Sequence, residues 1–372
     1  MPERTCVVLS LTGAPMTSHA SDVRLIAFYL PQFHPIAEND RWWGEGFTEW
    51  RNVDLARPSF AHHYQPHVPG ELGRYDLRDP AVRSQQAALA RDYGITAFCY
   101  YHYWFSGRRL LERPLADVLA SGEPDFPFCI CWANENWTRH WDGRDDEILI
   151  AQRYDDEDAV AFITDALPVF ADTRYVRIAG RPLLLVYCAS AIPDPRRWLD
   201  IWRAEVRHAG HEGLFAASVE SVHQQPGDPR RAGFDAAVEF PPHWTRSSVI
   251  TPLVDGVHPS FRGEVLDYVS CAQNMLARRP PAYPRFRAVM PGWDNTPRVQ
   301  HRAHCFVNAE PANYGRWLQA IVAEARNSTV PVDERIVFVN AWNEWGEGCH
   351  LEPDVRYGRA FLEATTRALE KH

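Results

Sequence analysis

Arg335-Ile336-Val337-Phe338-Val339-Asn340-Ala341 runs directly into Trp342-Asn343-Glu344-Trp345-Gly346-Glu347-Gly348. The first part is near-continuously apolar and β-branched, the pattern of a strand covered on both faces. The second part is polar and aromatic and begins where that strand ends. Working outward, seven further runs repeat the pattern: Arg24–Leu30, Ile95–Tyr101, Phe126–Trp132, Pro182–Cys188, Leu214–Val219, Ala236–Phe240 and Arg287–Met290. Helix-like stretches separate several of them, at Pro80–Tyr93, Asp156–Phe170, Pro195–Ala209, Gly263–Ala277 and Ala312–Ala325. Strand and helix alternating around eight strands predict an α/β fold, a single (β/α)8 TIM barrel with long loops at the C-terminal face of its strands. The alternative, a doubly wound sheet, lacks a glycine-rich phosphate loop after its first strand. The expected division is an N-terminal extension over 1–23 and a barrel catalytic domain over 24–372.

The chain has 372 residues, 45% of them hydrophobic, so it can bury a large core and is neither disordered nor a coiled coil. Lysine and arginine total 39 against 48 acidic residues, a formal net charge of −9, which offers no field to a phosphate backbone and argues against nucleic acid as a partner. No apolar run approaches the roughly 18 residues of a membrane span, and the first residues lack a basic start and a sustained apolar stretch. The expectation is a cytoplasmic chain without a membrane span. Its eight cysteines are dispersed, four of them within the strand-like runs, as buried reduced thiols would be.

Strand ends carry the chemistry-bearing residues. The exits hold His34 after the first strand, Tyr101 and His102 after the second, and Trp132, Asn134, Glu135, Asn136 and Trp137 after the third. Glu220 follows the fifth, His243 and Trp244 the sixth, Trp293 and Asp294 the seventh, and Asn343, Glu344 and Trp345 the eighth. Barrel active sites form at that face. Glu344 and Glu347 have the residue types that glycosidic cleavage requires, one carboxyl to protonate the leaving oxygen and one to assist at the sugar. The plainer alternative is a pair of solvated acids in a helix N-terminal turn. Alternating amide, carboxylate and indole groups suit a hydroxyl-rich ligand, with rings as platforms. His34, Glu49 and Trp50 are candidates for the same mouth, and a core role is the alternative for the neighbouring Trp42 and Trp43. The candidate catalytic pair is thus Glu344 and Glu347. The candidate substrate-binding set is His34, Glu49, Trp50, Tyr101, His102, Trp132, Asn134, Glu135, Asn136, Trp137, Glu220, Trp293, Asp294, Asn343 and Trp345. No metal or other cofactor is expected, since the adjacent pair His62-His63 has no ligand partner at metal spacing nearby. Neither Gly-x-Ser-x-Gly nor the Walker pattern occurs.

Five strings together resemble a known family: Phe28-Tyr29-Leu30-Pro31-Gln32-Phe33-His34-Pro35, Trp43-Gly44-Glu45-Gly46-Phe47-Thr48-Glu49-Trp50, Tyr100-Tyr101-His102-Tyr103-Trp104-Phe105, Cys131-Trp132-Ala133-Asn134-Glu135-Asn136-Trp137, and Asn343-Glu344-Trp345-Gly346-Glu347-Gly348-Cys349-His350-Leu351-Glu352-Pro353. They look like the WbsX-like proteins, which belong with the glycoside hydrolase family 99-like group, and the likeness runs from Arg24 to Tyr357. The resemblance implies a (β/α)8 barrel acting on carbohydrate. In the related endo-acting α-mannosidases, two glutamates work with retention through a 1,2-anhydro sugar, one deprotonating the 2-hydroxyl and the other protonating the leaving oxygen. Carried over, Glu344 matches the first role and Glu347 the second. The leading expectation is a retaining glycosidase or transglycosylase acting on a mannose-like residue of a bacterial surface polysaccharide. The tail Gly348-Cys349-His350-Leu351-Glu352-Pro353-Asp354 looks like the WbsX-like branch, whose members are often labelled glycosyltransferases of lipopolysaccharide or O-antigen assembly, which is the first alternative. A non-catalytic glycan-binding barrel is the second.

Overall fold

The computed structural model describes residues 22–139, 144–222, 227–242 and 247–370. Nearly all of the expected extension over 1–23, together with His140, Trp141, Asp142, His243 and Trp244, lies outside the described residues.

Eight parallel strands close into a barrel: β1 (Arg24–Tyr29), β2 (Ala97–Phe105), β3 (Phe128–Trp132), β4 (Arg181–Val186), β5 (Phe215–Glu220), β6 (Ala236–Glu239), β7 (Arg285–Val289) and β8 (Ile336–Val339). Each pairs with the next in sequence, and β1 closes the ring by pairing with both β2 (Ile26 beside Ala97) and β8 (Arg24 beside Ile336). All eight runs read from the sequence are strands. Their side chains are buried on both faces, which is why they read as continuous rather than alternating.

Helices α3 (Pro80–Asp92), α4 (Arg113–Ser121), α5 (Asp156–Ala171), α6 (Pro195–His208), α7 (Tyr268–Leu276), α9 (Pro311–Asn327) and α10 (Ala360–Leu369) are the longer helices. Short α1 (Ala37–Trp43), α2 (Glu49–Leu55) and α8 (Thr296–Val299) belong to loops at the C-terminal face. Aspartates start several helices by accepting a backbone N–H: Asp79 from Ala81, Asp155 from Asp158 and Asp194 from Arg197.

Three details differ from expectation. Between β5 and β6 the described residues carry a 3-10 turn, Pro229–Ala232, in place of an α-helix. The helix expected over Gly263–Ala277 begins only at Tyr268, because Glu264–Asp267 is a strand paired in parallel with His304–Val307, and the Asp267 carboxylate then caps the helix by accepting from Ser270 N at 2.7 Å. Strand β2 continues to Phe105, since its end is held by an antiparallel hairpin with Arg108–Leu110.

The ribbon Glu264–Asp267/His304–Val307 covers a small satellite core of Phe60, Phe261, Val265, Ala303 and Cys305. This core fastens together the loops after β1, β6 and β7. Seven described cysteines are free and buried, as reduced thiols.

Candidate active site

At the C-terminal face the barrel interior is plugged by aromatic rings. Phe28 lies against Tyr101, Phe240 and Phe338 with centroids at 5.7, 5.1 and 5.5 Å, and Tyr187 meets Phe240 at 5.3 Å. Above this floor opens a cavity of about 1060 Å³. Its lining includes Glu344 and Glu347 from the loop after β8, Trp42 and Trp43 from α1, Tyr101 and Tyr103 from β2, Asn134, Glu135, Asn136 and Trp137 after β3, Tyr187 after β4, and Trp293 and Arg298 after β7. The two carboxylates and four indoles, drawn from distant parts of the chain, therefore share one hollow.

The acids sit on a tight hairpin, Asn343–Glu344 pairing with Cys349–His350 around the turn Trp345–Glu347. Arg298, on α8, bridges them. Its NH2 lies 2.5 Å from Glu344 Oε1, its NH1 2.7 Å from Glu347 Oε1, and its Nε 2.9 Å from Glu49 Oε1. Gly346 leaves room for this packing, because a Cβ there would lie 2.1 Å from Glu49 Oε1 and 3.0 Å from Arg298 Nε and would displace them. Burial pushes the Glu344 carboxyl up to about 8; Arg298 opposes the shift, and neighbouring Glu347 and Glu49 add to it. Three carboxylates around one guanidinium in a largely dry site favour retention of a proton near neutral pH.

Of the candidates read from the sequence, Glu344, Glu347, Tyr101, Asn134, Glu135, Asn136, Trp137 and Trp293 line the cavity. Trp137 stands among Trp42, Tyr103 and Phe105 edges at 5.9, 5.3 and 5.6 Å. Asn134 lines it with its amide already engaged, exchanging hydrogen bonds with Cys188 N and O at 2.7 and 2.8 Å. Asn343 does the same to Leu30 N and O, at 2.7 and 3.0 Å, and so splices β8 to β1 below the cavity. Both amides substitute for a strand neighbour where the ladder ends. Glu49 stands behind Arg298 and meets the site through it.

The remaining candidates do not reach the cavity, and the pleat explains two of them. In β2, Tyr101 and Tyr103 point inward while His102 and Trp104 point outward, meeting Phe162 of α5 at 5.8 and 6.0 Å. Trp132 likewise faces the helices, fully buried against Phe162, Trp198 and Trp202. Glu220 lies behind the barrel, ion-paired to Arg278 at 2.8 Å. His34 is buried, its Nδ1–H donating to the Pro31 carbonyl at 2.9 Å. Trp50 packs against Phe33, Tyr75 and Trp345. Trp345 stacks on His350 with centroids 3.7 Å apart, and its Nε1–H donates to Glu352 at 2.7 Å. Asp294 supports the site from beneath. Its backbone N–H donates to the Glu347 carbonyl at 2.6 Å, and its carboxylate accepts from His63, Gln65 and Thr296 N at 2.6, 2.7 and 3.0 Å. Burial pushes that carboxyl up, but these bonds outweigh it and hold it below the usual carboxylate range.

Sequence reasoning passed over Arg298, Tyr103 and Tyr187. Arg298 lies five residues after Trp293 at a strand exit, a positional signal that was available. Two groups of described residues have metal-ligand character, His63/Asp294/Cys305 and His67/His350/Asp354. In the first, Ser59 N–H donates to His63 Nδ1 at 2.9 Å, so Nε2 carries the hydrogen that Asp294 accepts, and the group is a hydrogen-bonded network. In the second, His350 Nδ1–H donates to Glu352 O, which leaves His350 Nε2 to accept from His67 Nδ1 at 2.9 Å.

Among solved structures, the GH99 endo-alpha-mannosidase from Bacteroides thetaiotaomicron superposes with a TM-score of 0.55 at 14% identity, over 93% of this chain and 96% of that one. A structure described as a glycoside hydrolase-like protein gives 0.56 at 14% identity over 98% of each chain. These likenesses extend to the fold. Two uncharacterized proteins named WxcX, from strains of Xanthomonas campestris pv. campestris, are 46% and 45% identical over 93% and 98% of this chain. The chain spans about half the length of these relatives, 50% and 52%. Residues 25–365 match the family described as glycosyltransferase WbsX, and the chain belongs to that family.

Proposed function

We propose that this barrel is a carbohydrate-active enzyme, a retaining glycosidase or transglycosylase acting on a mannose-like residue within a bacterial surface polysaccharide. The observation that carries the reading is the pair Glu344 and Glu347 on one guanidinium, at the edge of a cavity walled by tryptophan and tyrosine rings. The barrel shared with an endo-alpha-mannosidase supports the sugar class.

In the proposed cycle Glu344 takes the proton of the sugar 2-hydroxyl as that oxygen attacks the anomeric carbon. Glu347 delivers its proton to the leaving oxygen as the glycosidic bond breaks. A 1,2-anhydro sugar results. Water, or an acceptor hydroxyl, gives its proton to Glu347 and attacks the anomeric carbon; the 2-oxygen recovers its proton from Glu344. Two inversions give retention. A strongly basic Glu344 suits removal of a hydroxyl proton. The cycle needs Glu344 ionised and Glu347 protonated when the bond breaks, and a 2-hydroxyl donating to Glu344 favours that arrangement.

The family's description favours a second reading, transfer from an activated sugar donor. Among the described residues lining the cavity, Arg298 is the one cation, against Glu135, Glu344 and Glu347. That balance suits a neutral glycan better than a diphosphate-bearing donor. Incubating the purified protein with α-mannosides and surface polysaccharides, followed by proton NMR of the anomeric product, tests both. The α-anomer as first product from an α-linkage is expected. Nucleotide release with an acceptor and no cleavage would replace hydrolysis by transfer, and saturable binding without turnover would reduce the barrel to a lectin.

A further inference from the structure

Arg298 is placed with unusual economy. Helix α8 is a single turn, Thr296–Val299, set by the Arg298 N–H to Asn295 O bond at 3.0 Å and preceded by the immobilised Asp294. All three guanidinium nitrogens are engaged by different carboxylates, Glu49 from α2 and Glu344 and Glu347 from the loop after β8. Glu49 is fully buried, is absent from the cavity wall, and leaves its second oxygen without a hydrogen-bond partner. Its position serves the guanidinium, not a ligand. Gly346 leaves the space through which Glu49 and Arg298 meet beneath the turn joining the two acids.

We infer that Arg298 is a positioning residue for Glu344 and Glu347: anchored from behind by Glu49, its planar fork fixes one glutamate on each terminal nitrogen and supplies a single positive charge to three carboxylates. This rests on the proposed role of the two glutamates. A fork holds two carboxylates in a fixed relation that a lysine ammonium cannot reproduce. Other titratable groups interacting with the pair are Tyr101 and Tyr103 from β2, Tyr187 after β4 and Cys349 on the return strand of the hairpin, and Glu135 after β3 acts on Tyr103 and Tyr187. Burial raises both the tyrosines and the thiol, keeping them neutral. Arg298 is therefore the group whose removal changes the proton inventory in one defined direction. Three carboxylates without it must hold more protons.

The test uses the full chain labelled with 13C at glutamate carboxyls, titrated by NMR, with Glu344→Gln identifying the Glu344 resonance. Arg298→Gln is expected to move that titration upward. Glu49→Gln, which removes a negative charge while keeping a neutral acceptor for Nε, is expected to move it downward. On a substrate that the wild type turns over, Arg298→Gln should lower kcat on the order of a hundredfold, with KM nearly unchanged and the acidic limb of the pH profile displaced upward. Added guanidinium should recover part of the rate of Arg298→Ala. Arg298→Lys should titrate close to wild type yet stay slow, separating charge from geometry. Unmoved titrations in both Arg298→Gln and Glu49→Gln, or wild-type kcat in Arg298→Gln, would overturn the inference. If Arg298→Gln does not fold, Arg298→Lys and Glu49→Gln decide it by the same readouts. A wild type that turns over nothing on the panel removes the proposed function instead, and the opposed titration shifts still judge the charge clamp.

Discussion

At the residue scale the site separates groups that face the cavity from groups that hold them. Glu344 and Glu347 face it, so Glu344→Gln and Glu347→Gln should each reduce kcat by roughly a hundredfold or more while leaving the melting temperature near wild type. Retention of full turnover in both variants, measured on a cleaved substrate, would remove them from the reaction. The tryptophans divide in the same way. Trp137 lines the cavity, and Trp137→Ala should raise KM about tenfold, the equivalent of about 1.4 kcal/mol, with little change in stability. Trp132 is sealed between β3 and helices α5 and α6. Trp132→Ala should cost roughly 3–5 kcal/mol and register in the melting temperature, with KM unaffected in the folded fraction. The two indoles look alike in the sequence, five positions apart in one aromatic cluster. The fold tells them apart: Trp132 ends β3 facing the helices, whereas Trp137 begins a separate short strand, Trp137–Arg139, in the loop above it.

At the element scale the decisive unit is the hairpin after β8. It is tied to β1 by Asn343, to α8 by Arg298, to the β7 loop by Asp294, and to its own return by Glu352, which accepts from Trp345, Tyr75 and Gln86 at 2.7, 2.7 and 2.6 Å. A Cβ at position 346 would occupy the space where Glu49 meets Arg298. Gly346→Ala should therefore push Glu49 and the guanidinium apart. Displacements of about 1 Å at reacting groups cost on the order of a hundredfold in rate, so a loss of that size, with a lowered melting temperature, is expected from paired kinetic and thermal measurements. Wild-type values for both would show that the turn is looser than its geometry. The sequence made this hairpin visible as a strand running into acids, indoles and glycines. It left α2 and α8 out of view, because helices of seven and four residues carry too little periodicity to stand out.

At the scale of the whole molecule, buried acids beneath the cavity make stability depend on pH. Burial pushes Glu352 up to about 7, with the hydrogen bonds from Trp345, Tyr75 and Gln86 opposing the shift. An unfolded glutamate titrates near about 4.3. The folded state therefore holds a proton that the unfolded chain surrenders. The stability this proton provides is fully present below about pH 4 and is lost as pH rises through about 7. The melting temperature of Glu352→Gln should accordingly fall less between pH 5 and 8 than that of the wild type; equal slopes would show that Glu352 is already ionised in the fold. Part of the slope should persist in the variant, since Glu344 acts with the same sign. Eight buried strands, the polar clusters at their C-terminal ends and the spacing of the two glutamates were all readable along the chain, because each is a local pattern of residue types. The partners that give those glutamates their character were not. Arg298 lies 46 residues from Glu344 and 249 from Glu49, and His102 differs from Tyr103 only in which face of the pleat it occupies. Closing the barrel fixes those faces and brings the distant loops together, and burial then raises the Glu344 carboxyl beside its neighbouring acids, an electrostatic property that exists only when water has been excluded around the cluster.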